Sequence, residues 1–598
     1  MYKARHLKGG SGKTQSSAQS FLKGSFILTL SMVAVKLCGM VYKVMLANMY
    51  ASFGEDFAGI GTGLFSNAYE LYVPLFTLAT AGFPVAVSRL ISESTAQNRY
   101  KDIDTIHRVS KKLFLIMGLV CFAIMFFGSY IFVRIISQPY ALYPVLALSP
   151  MILFGCLVST YRGYFEGLRD MKPTAISEVI EACSKLFVGL GLSYLIMKFG
   201  ISSYESTNTV FGLTFESEHD AMYTLLSFSA AGAIMGITLG SLLSFLFLYI
   251  RYRLDKNRIP KECLENSVEA RSRKEVFSIL VRTAIPIGVG ALIMNIASTI
   301  DTVMVQRVLL NLAQTKPAQL LAQYDGKLDN LISDGEILIH TYLFGVYSNC
   351  ITIMQIVTSV TQVFGTAAMP NVTAAYAKGD KTELKHSIET VLKITTVFTF
   401  PIGLGMFAIP YQIISLFYGG NIALFGTEIL RVMGISVIFI ACSTPLCSML
   451  QAIGKVKIPM KLYAVAMTIK ICLNYLFVGI VSINVVGAAV GTLIAYIFVC
   501  VVAVYCLYKY SGVRFNIAPS IIKPLISAVA CAVSAYLFSS LFSGLMPAKV
   551  SSIAAILCAG IIYIVFLLLL RTFSENEIKM LPKGKKLSKL LAKLRLLG

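Results

Sequence analysis

LYPVLALSPMILFGCLVST (Leu142–Thr160) contains no charged residue. As a helix rising about 1.5 Å per residue it covers most of the ~30 Å hydrocarbon core of a bilayer. Charge returns only at its exit, in Tyr161-Arg-Gly-Tyr-Phe-Glu-Gly-Leu-Arg-Asp-Met-Lys-Pro173. Outward from this block the same pattern recurs in both directions. Apolar stretches between charged or Pro/Gly punctuation lie near 25 to 48, 61 to 92, 113 to 136, 142 to 166, 173 to 199, 224 to 250, 276 to 308, 337 to 370, 389 to 417, 424 to 452, 459 to 482, 484 to 508, 519 to 543 and 549 to 571. The expected fold class is therefore all-α: a polytopic membrane protein of about fourteen transmembrane helices.

Composition agrees. The 598 residues are 56% hydrophobic and 14% charged, with a mean hydropathy of +0.73, whereas a soluble domain carries about 25% charge. Of the thirteen cysteines, all but Cys263 sit inside apolar blocks and read as reduced small hydrophobes. The net charge of +22 alternates along the chain with the spans and does not gather on one soluble face, so nucleic acid is not an expected partner.

Lys and Arg mark the loops expected to face the cytoplasm. Arg99, Lys101, Arg108, Lys111 and Lys112 follow span two, Arg162, Arg169 and Lys172 follow span four, and a dense run from Arg251 to Lys274 follows span six. Glu55 and Asp56 after span one, and Glu205, Glu216, Glu218 and Asp220 after span five, mark outer loops. An even number of spans then returns both termini to the cytoplasm. Residues 1–24, basic and without a small-residue cleavage site, read as a retained cytoplasmic tail, and 572–598 as a basic cytoplasmic tail. The expected location is the bacterial cytoplasmic (inner) membrane.

The chain also repeats. Gly82-Phe83-Pro84 at the end of span two is matched by Ala368-Met369-Pro370 at the end of span eight, and Lys172-Pro173 by Lys457-Ile458-Pro459; the two proline pairs are equally far apart. Arg134-Ile-Ile-Ser137 matches Gln412-Ile-Ile-Ser415, and Gly232-xxx-Gly236 matches Gly487-xxx-Gly491. Spans one to six thus correspond to spans seven to twelve, and because six is even the halves are parallel repeats. The expected domains are a six-helix bundle at 25–250, a basic cytoplasmic linker at 251–275, a second six-helix bundle at 276–508, and two extra helices at 519–571. The Gly-xxx-Gly pairs are expected to serve helix packing.

Charges within spans cost about 2.5 to 3.5 kcal/mol each on insertion scales and are functional candidates by default. Lys36 and Lys43, seven residues apart with Gly39 between them, share a face of span one. Asn67, Glu70 and Thr77 line span two; Asn295, Ser298 and Thr302 line span seven with Asp301 beside them; Asn349, Thr352, Ser359 and Gln362 line span eight. These stripes are expected to border a wet cavity between the halves and to bind substrate; the competing reading is that they satisfy one another in helix interfaces. Glu178, Glu181 and Lys185 share a face of span five, and Lys470 and Asn474 one of span eleven. With Asp301, Glu178, Glu181 and Lys470 are candidates for a proton or ion path, the alternative being a buried structural network. Arg89 and Arg282 sit near cytoplasmic ends, where they can snorkel.

Gly9-Gly-Ser-Gly-Lys-Thr14 ends like a phosphate-binding loop, but Leu7 stands where the first Gly belongs and no strand precedes it. Transport without a nucleotide site would draw on an ion gradient, the membrane potential or the substrate's own gradient. No metal-ligand spacing, nucleophile triad or paired-carboxylate loop points to an enzyme, and neither cofactor nor metal is expected.

Tyr161-Arg-Gly-Tyr-Phe-Glu-Gly-Leu-Arg-Asp-Met-Lys-Pro-Thr-Ala-Ile-Ser177 resembles the signature of the stage V sporulation protein B and MurJ-type flippases of the multidrug/oligosaccharidyl-lipid/polysaccharide (MOP) exporter superfamily. Gly82-Phe-Pro-Val-Ala-Val-Ser-Arg89 and Ser574-Glu-Asn-Glu-Ile-Lys-Met-Leu-Pro-Lys583 are similar to the same group. The resemblance implies two six-helix bundles, alternating access and a lipid-linked oligosaccharide substrate such as lipid II, an undecaprenyl-pyrophosphate sugar used in cell-wall synthesis. It implies membrane lipids as surroundings, a coupling ion or potential, and a monomer. The family's Arg-x-x-Gly in the first span reads Lys36-Leu-Cys-Gly39 here. Lysine keeps the charge and loses the planar fork that suits a pyrophosphate. The second basic position is matched by Tyr42, with Lys43 one place on, and spans two and eight hold no matching arginine. The segment from about Leu309 to Glu336 is longer than usual for the group.

Two rival readings share the residues. A cation-coupled multidrug antiporter of the MATE type would have the same core, with carboxylates such as Glu70 and Asp301 lining its cavity. A membrane glycosyltransferase would need a large acidic outer loop, and the outer loops here are short.

Overall fold

The computed structural model describes residues 34–573, apart from 55, 81, 169, 216, 255–263, 266, 325–331, 334–335, 338 and 515–517. The N-terminal tail with Gly9–Thr14, the start of span one, Cys263, the lysines and arginine at 256, 258 and 261, and the chain from Ser574 on lie outside the described residues.

Within these bounds the protein is built from membrane-length helices. The first unit contains α1 (34–51), α2 (Phe57–Thr80), α3 (Phe83–Ala96), α4 (Tyr100–Ile135), α5 (Leu142–Gly167), α6 (Lys172–Thr207), α7 (Glu218–Leu254) and the start of α8 (Arg273–Thr315). The second contains the end of α8, then α9 (Ile339–Lys378), α10 (Lys381–Ala408), α11 (Pro410–Tyr418), α12 (Gly420–Ala452), α13 (Lys457–Val478), α14 (Val486–Ser511), α15 (Ala518–Ser543) and α16 (Ala548–Leu569). Twelve helical stretches among the described residues are long and apolar enough to cross a membrane. α1 and α8 fall on spans one and seven, so the described residues of each expected span are mainly helical. The β structure described is two short hairpins, Thr209–Val210 with Leu213–Thr214 and Ile332–Ser333 with Glu336–Ile337.

Exposed apolar side chains such as Phe127 (76%), Ile131 and Leu557 cover the helix surfaces. A soluble protein rarely tolerates such contiguous patches, whereas lipid solvates them. Several helices outrun the bilayer. α4 spans 36 residues, about 54 Å at 1.5 Å per residue, and its first turns carry Lys101, Asp104, Arg108, Lys111 and Lys112, a segment made for water and headgroups.

The repeat is visible in the packing of each unit. In the first, α5 is the central helix, against α2, α3, α4 and α7, with α6 on α7. In the second, α12 takes that place, against α9, α10 and α14, with α13 on α14. α15 and α16 pack on each other, and α15 also on α10, about a core of Phe400, Ala528, Ala559 and Tyr563. The boundary between the compact units falls inside α8, between Val303 and Met304. The repeat phase counts this span with the second half from residue 276; by contacts its residues up to Val303 lie in the first unit.

One matched landmark differs. Span two breaks between α2 and α3 at Gly82, where a Cβ would collide with the Ala284 carbonyl of α8, whereas α9 runs unbroken through Ala368-Met369-Pro370. The glycine permits that close backbone approach.

The signature stretch is a packing device. A Cβ on Gly167 of α5 would meet Ile91 and the Ser88 carbonyl of α3, and Ser92 donates to the Gly167 carbonyl at 2.8 Å. The Gly-xxx-Gly pairs also serve packing, as expected. Gly236 of α7 lies against the backbone of Gly189 in α6, and Gly491 of α14 against the side chain of Asn474 in α13.

Two polar clasps were not legible from spacing. Asp102, 0% exposed, at the start of α4, accepts from Arg99 Nε at 2.9 Å and from the Arg271 backbone N–H at 2.6 Å, with Arg271 Nε at 3.6 Å. Lys101 adds bonds from its N–H to Ser267 Oγ and from Nζ to the Ser267 carbonyl. The end of the linker expected at 251–275 is thereby fastened to the first unit. In the second unit, Tyr324 donates its phenol to Asn484 Oδ1 at 2.8 Å, and Gln323 donates to the Ser482 carbonyl at 2.9 Å. This ties the long segment after α8 to the turn between α13 and α14. Burial raises the Tyr324 pKa above the ordinary phenol value.

Candidate functional site

Span one presents its tyrosines to the bundle. Tyr42 donates to the Ala233 carbonyl of α7 at 2.8 Å, and Tyr50 shares a hydrogen bond with Ser193 of α6 at 3.2 Å. These bonds set the rotation of α1, so that Tyr42, Lys43, Leu46, Ala47 and Tyr50 are all buried. Lys43 retains 8% exposure. Lys36, on the same face two turns earlier, is exposed, and the space beside Gly39 is open.

The polar stripes of spans two and seven meet. Asn295 Nδ2 donates to Thr77 Oγ1 at 3.2 Å, and Thr299 Oγ1 donates to the Glu70 carbonyl at 2.9 Å. The seam follows Asn295 and Thr299, one turn apart, and so shares Asn295 with the stripe of Asn295, Ser298 and Thr302. Asn67 is fully buried and Asp301 is 4% exposed. The hydrogen bonds are of the interface kind set against cavity lining in the sequence reading, and these same helices carry the buried amide and carboxylate. In the second unit Asn349 of α9 is fully buried, and Lys470 of α13 is partly buried one turn from buried Asn474.

The shared face of Glu178, Glu181 and Lys185 divides. Glu181 pairs with Arg162 of α5 at 3.1 Å, while Arg162 Nε donates to Ser177 Oγ at 2.9 Å. Arg162 and Ser177 both belong to the signature stretch, which therefore carries a planar two-point clamp between α5 and α6. Glu178 is partly buried. Lys185 goes elsewhere. Its ammonium lies over the rings of Tyr42 at 4.8 Å, Tyr69 at 5.8 Å and Phe65 at 5.9 Å. Tyr42 comes from α1 and the other two from α2, so two helices build the cage around a cation from a third. Each such contact contributes about 0.5 to 2 kcal/mol depending on desolvation. The residues from Lys185 to Gly189 form a π-helical turn within α6, a feature found mostly at functional sites. Helical spacing puts Lys185 on a face with two carboxylates; only the irregular turn and the long-range rings redirect it.

A profile of the family described as "Polysaccharide biosynthesis protein" matches residues 21–325, just over half of the chain. The chain belongs to the polysaccharide biosynthesis protein family. The MatE family profile matches residues 340–476, the stretch from α9 into α13. Stage V sporulation protein B of Bacillus subtilis is 21% identical over 566 residues, covering 94% of this chain and 98% of that protein. The lipid II flippase MurJ of the same organism is 22% identical over 516 residues, 84% and 85% of the two chains. Among solved structures, the lipid II flippase MurJ in an inward closed conformation superposes with a TM-score of 0.59 at 14% identity, over 90% of this chain and 98% of that one. An inward-facing MATE family transporter of the MOP superfamily gives 0.56 at 15% identity, over 81% and 99%.

This member of the polysaccharide biosynthesis protein family is thus a multi-pass membrane protein with the fold of the MurJ and MATE structures, as the resemblance implied, and the relatives with a named activity are flippases and transporters. Within the family frame, the cationic first helix, the α2/α8 seam and the caged Lys185 all belong to the first unit.

Proposed function

We propose that the protein is a flippase carrying a lipid-linked cell-envelope precursor, lipid II or another undecaprenyl-pyrophosphate-linked saccharide, from the inner to the outer leaflet of the bacterial cytoplasmic membrane by alternating access of two six-helix bundles. The observation that carries this reading is the lysine pair of α1, with Lys43 held at 8% exposure inside a membrane helix. A buried cation in hydrocarbon is tolerated when it meets an anion or a wet passage, and the diphosphate of a polyprenyl-linked sugar is such an anion. Lys36, Gly39 and Lys43 form the cationic wall, and Asn67, Glu70, Asn295, Asp301 and Asn349 supply polar lining for the saccharide. Both termini lie in the cytoplasm, the protein works as a monomer, and an ion gradient or the membrane potential drives the cycle, with Asp301, Glu178, Glu181 and Lys470 as its candidate path.

Replacing Lys36 and Lys43 together by Ala abolishes complementation of a flippase-depleted strain at unchanged protein level. Undiminished growth refutes the assignment. The similarity of residues 340–476 to MatE, together with the buried Asp301 carboxylate, favours cation antiport as the second reading. That reading requires Asp301→Asn to abolish resistance to cationic drugs in a sensitised host, and under the flippase reading resistance is unaffected.

A further inference from the structure

A membrane-embedded ammonium can be held in two ways. A carboxylate neutralises it, so that the pair presents no net charge to a third party. Aromatic faces stabilise it by their quadrupoles and leave its unit charge intact. Lys185 is held in the second way. Among the described residues its ammonium forms no hydrogen bond or ion pair, and its companions are the rings of Tyr42, Phe65 and Tyr69. The nearby acid that could have neutralised it, Glu181 one turn earlier, is taken by Arg162.

The cage is braced, not incidental. Tyr42 is fastened to the Ala233 carbonyl, and Phe65 and Tyr69 contact each other in a tilted pair at 5.1 Å between centroids. Ser184 Oγ donates to the Gly236 carbonyl at 2.9 Å, and Gly189 at the end of the π-helical turn lies against Gly236. These contacts pin both ends of the irregular turn to α7. Lys185 as a residue is partly buried.

We propose that Lys185 is a further anion-binding residue of the transporter, an uncompensated cation within the first unit that contacts the phosphate head of the isoprenoid-linked substrate. The proposal rests on the flippase reading and extends it from α1 to α6. Phosphate could also be supplied by an ordinary phospholipid, and the probes below separate the two sources.

The full chain in nanodiscs is tested for binding of undecaprenyl pyrophosphate, with undecaprenol as the uncharged probe and phosphatidylglycerol as the phospholipid probe. Lys185→Met is expected to weaken undecaprenyl pyrophosphate binding at least tenfold and leave undecaprenol unchanged, while Lys185→Arg stays within about threefold of the parent. Acylation of Lys185 by a membrane-permeant reagent, read by peptide mass spectrometry on the unaltered protein, is expected to slow at least fivefold with undecaprenyl pyrophosphate and not with undecaprenol. This measurement decides alone should Lys185→Met fail to fold. Unslowed acylation, equal slowing by phosphatidylglycerol, or a Lys185→Met protein that binds as tightly as the parent overturns the proposal. If Lys36→Ala/Lys43→Ala weakens binding under those conditions, the flippase reading stands without Lys185. If the unaltered protein binds undecaprenyl pyrophosphate no better than undecaprenol, the reading itself falls.

Discussion

Removing the Asp102 carboxylate should release the end of the cytoplasmic linker from the first unit by an amount that hydrogen exchange can read directly. The Arg271 amide proton is bonded to Asp102 Oδ1 at 2.6 Å, so its exchange reports the opening of the clasp. The carboxylate is 0% exposed and also takes Arg99 Nε at 2.9 Å and lies 3.6 Å from Arg271 Nε. A hydrogen bond to a charged group contributes about 1.5 to 3 kcal/mol. Arg99, at the N-cap of α4, also donates to the Glu269 carbonyl of the linker at 3.3 Å, and neither that bond nor the Lys101 bonds to Ser267 use the carboxylate. Asp102→Ala should therefore cost the clasp about 2 kcal/mol, and at 1.4 kcal/mol per decade the Arg271 amide should exchange roughly thirtyfold faster. Asp102→Asn keeps an acceptor without the charge and should fall between. Exchange at Arg271 within threefold of the parent in Asp102→Ala would refute the reasoning, because the bond would then contribute nothing to holding the linker.

Two further outcomes follow from packing and from burial. Gly236→Ala should destabilise the first unit by about 1 to 3 kcal/mol through overpacking against the Gly189 backbone, while Gly128→Ala, whose new methyl meets nothing within 4 Å, should be neutral or slightly stabilising; thermal unfolding in detergent compares the two. The raised pKa of Tyr324 means that its strap is fully in place below the ordinary phenol pKa of about 10 and weakens as pH rises through the higher folded value. Proteolysis of the segment after α8 should accordingly accelerate above about pH 10, and Tyr324→Phe should abolish that pH dependence while raising cleavage at neutral pH.

Much of the site was legible in outline and less so in detail. The lysines of span one and the stripes of spans two and seven were visible because charge and amide groups are conspicuous against an apolar background. The register of the seam was not: Ser298 and Thr299 are adjacent in sequence, and which of them faces α2 depends on the rotation of α8. Arg162 gave no signal of its own role, since a cation beside a loop reads as a topology marker until Glu181 and Ser177 of the next helix come within reach. Asp102 was hidden for the same reason, its partner Arg271 lying across the whole bundle in sequence.

The fourteen apolar segments and their internal repeat follow from the residues alone, because partitioning into hydrocarbon is a property of each segment taken singly and is nearly additive along it. Which ammonium meets an acid and which meets aromatic rings does not follow. Lys185 is one turn from Glu181 in sequence, yet its neighbours are Tyr42, Phe65 and Tyr69, more than a hundred residues away. A π-helical turn, close glycine packing on α7 and the rotation of α1 make that choice together, and each exists only once the helices are in contact.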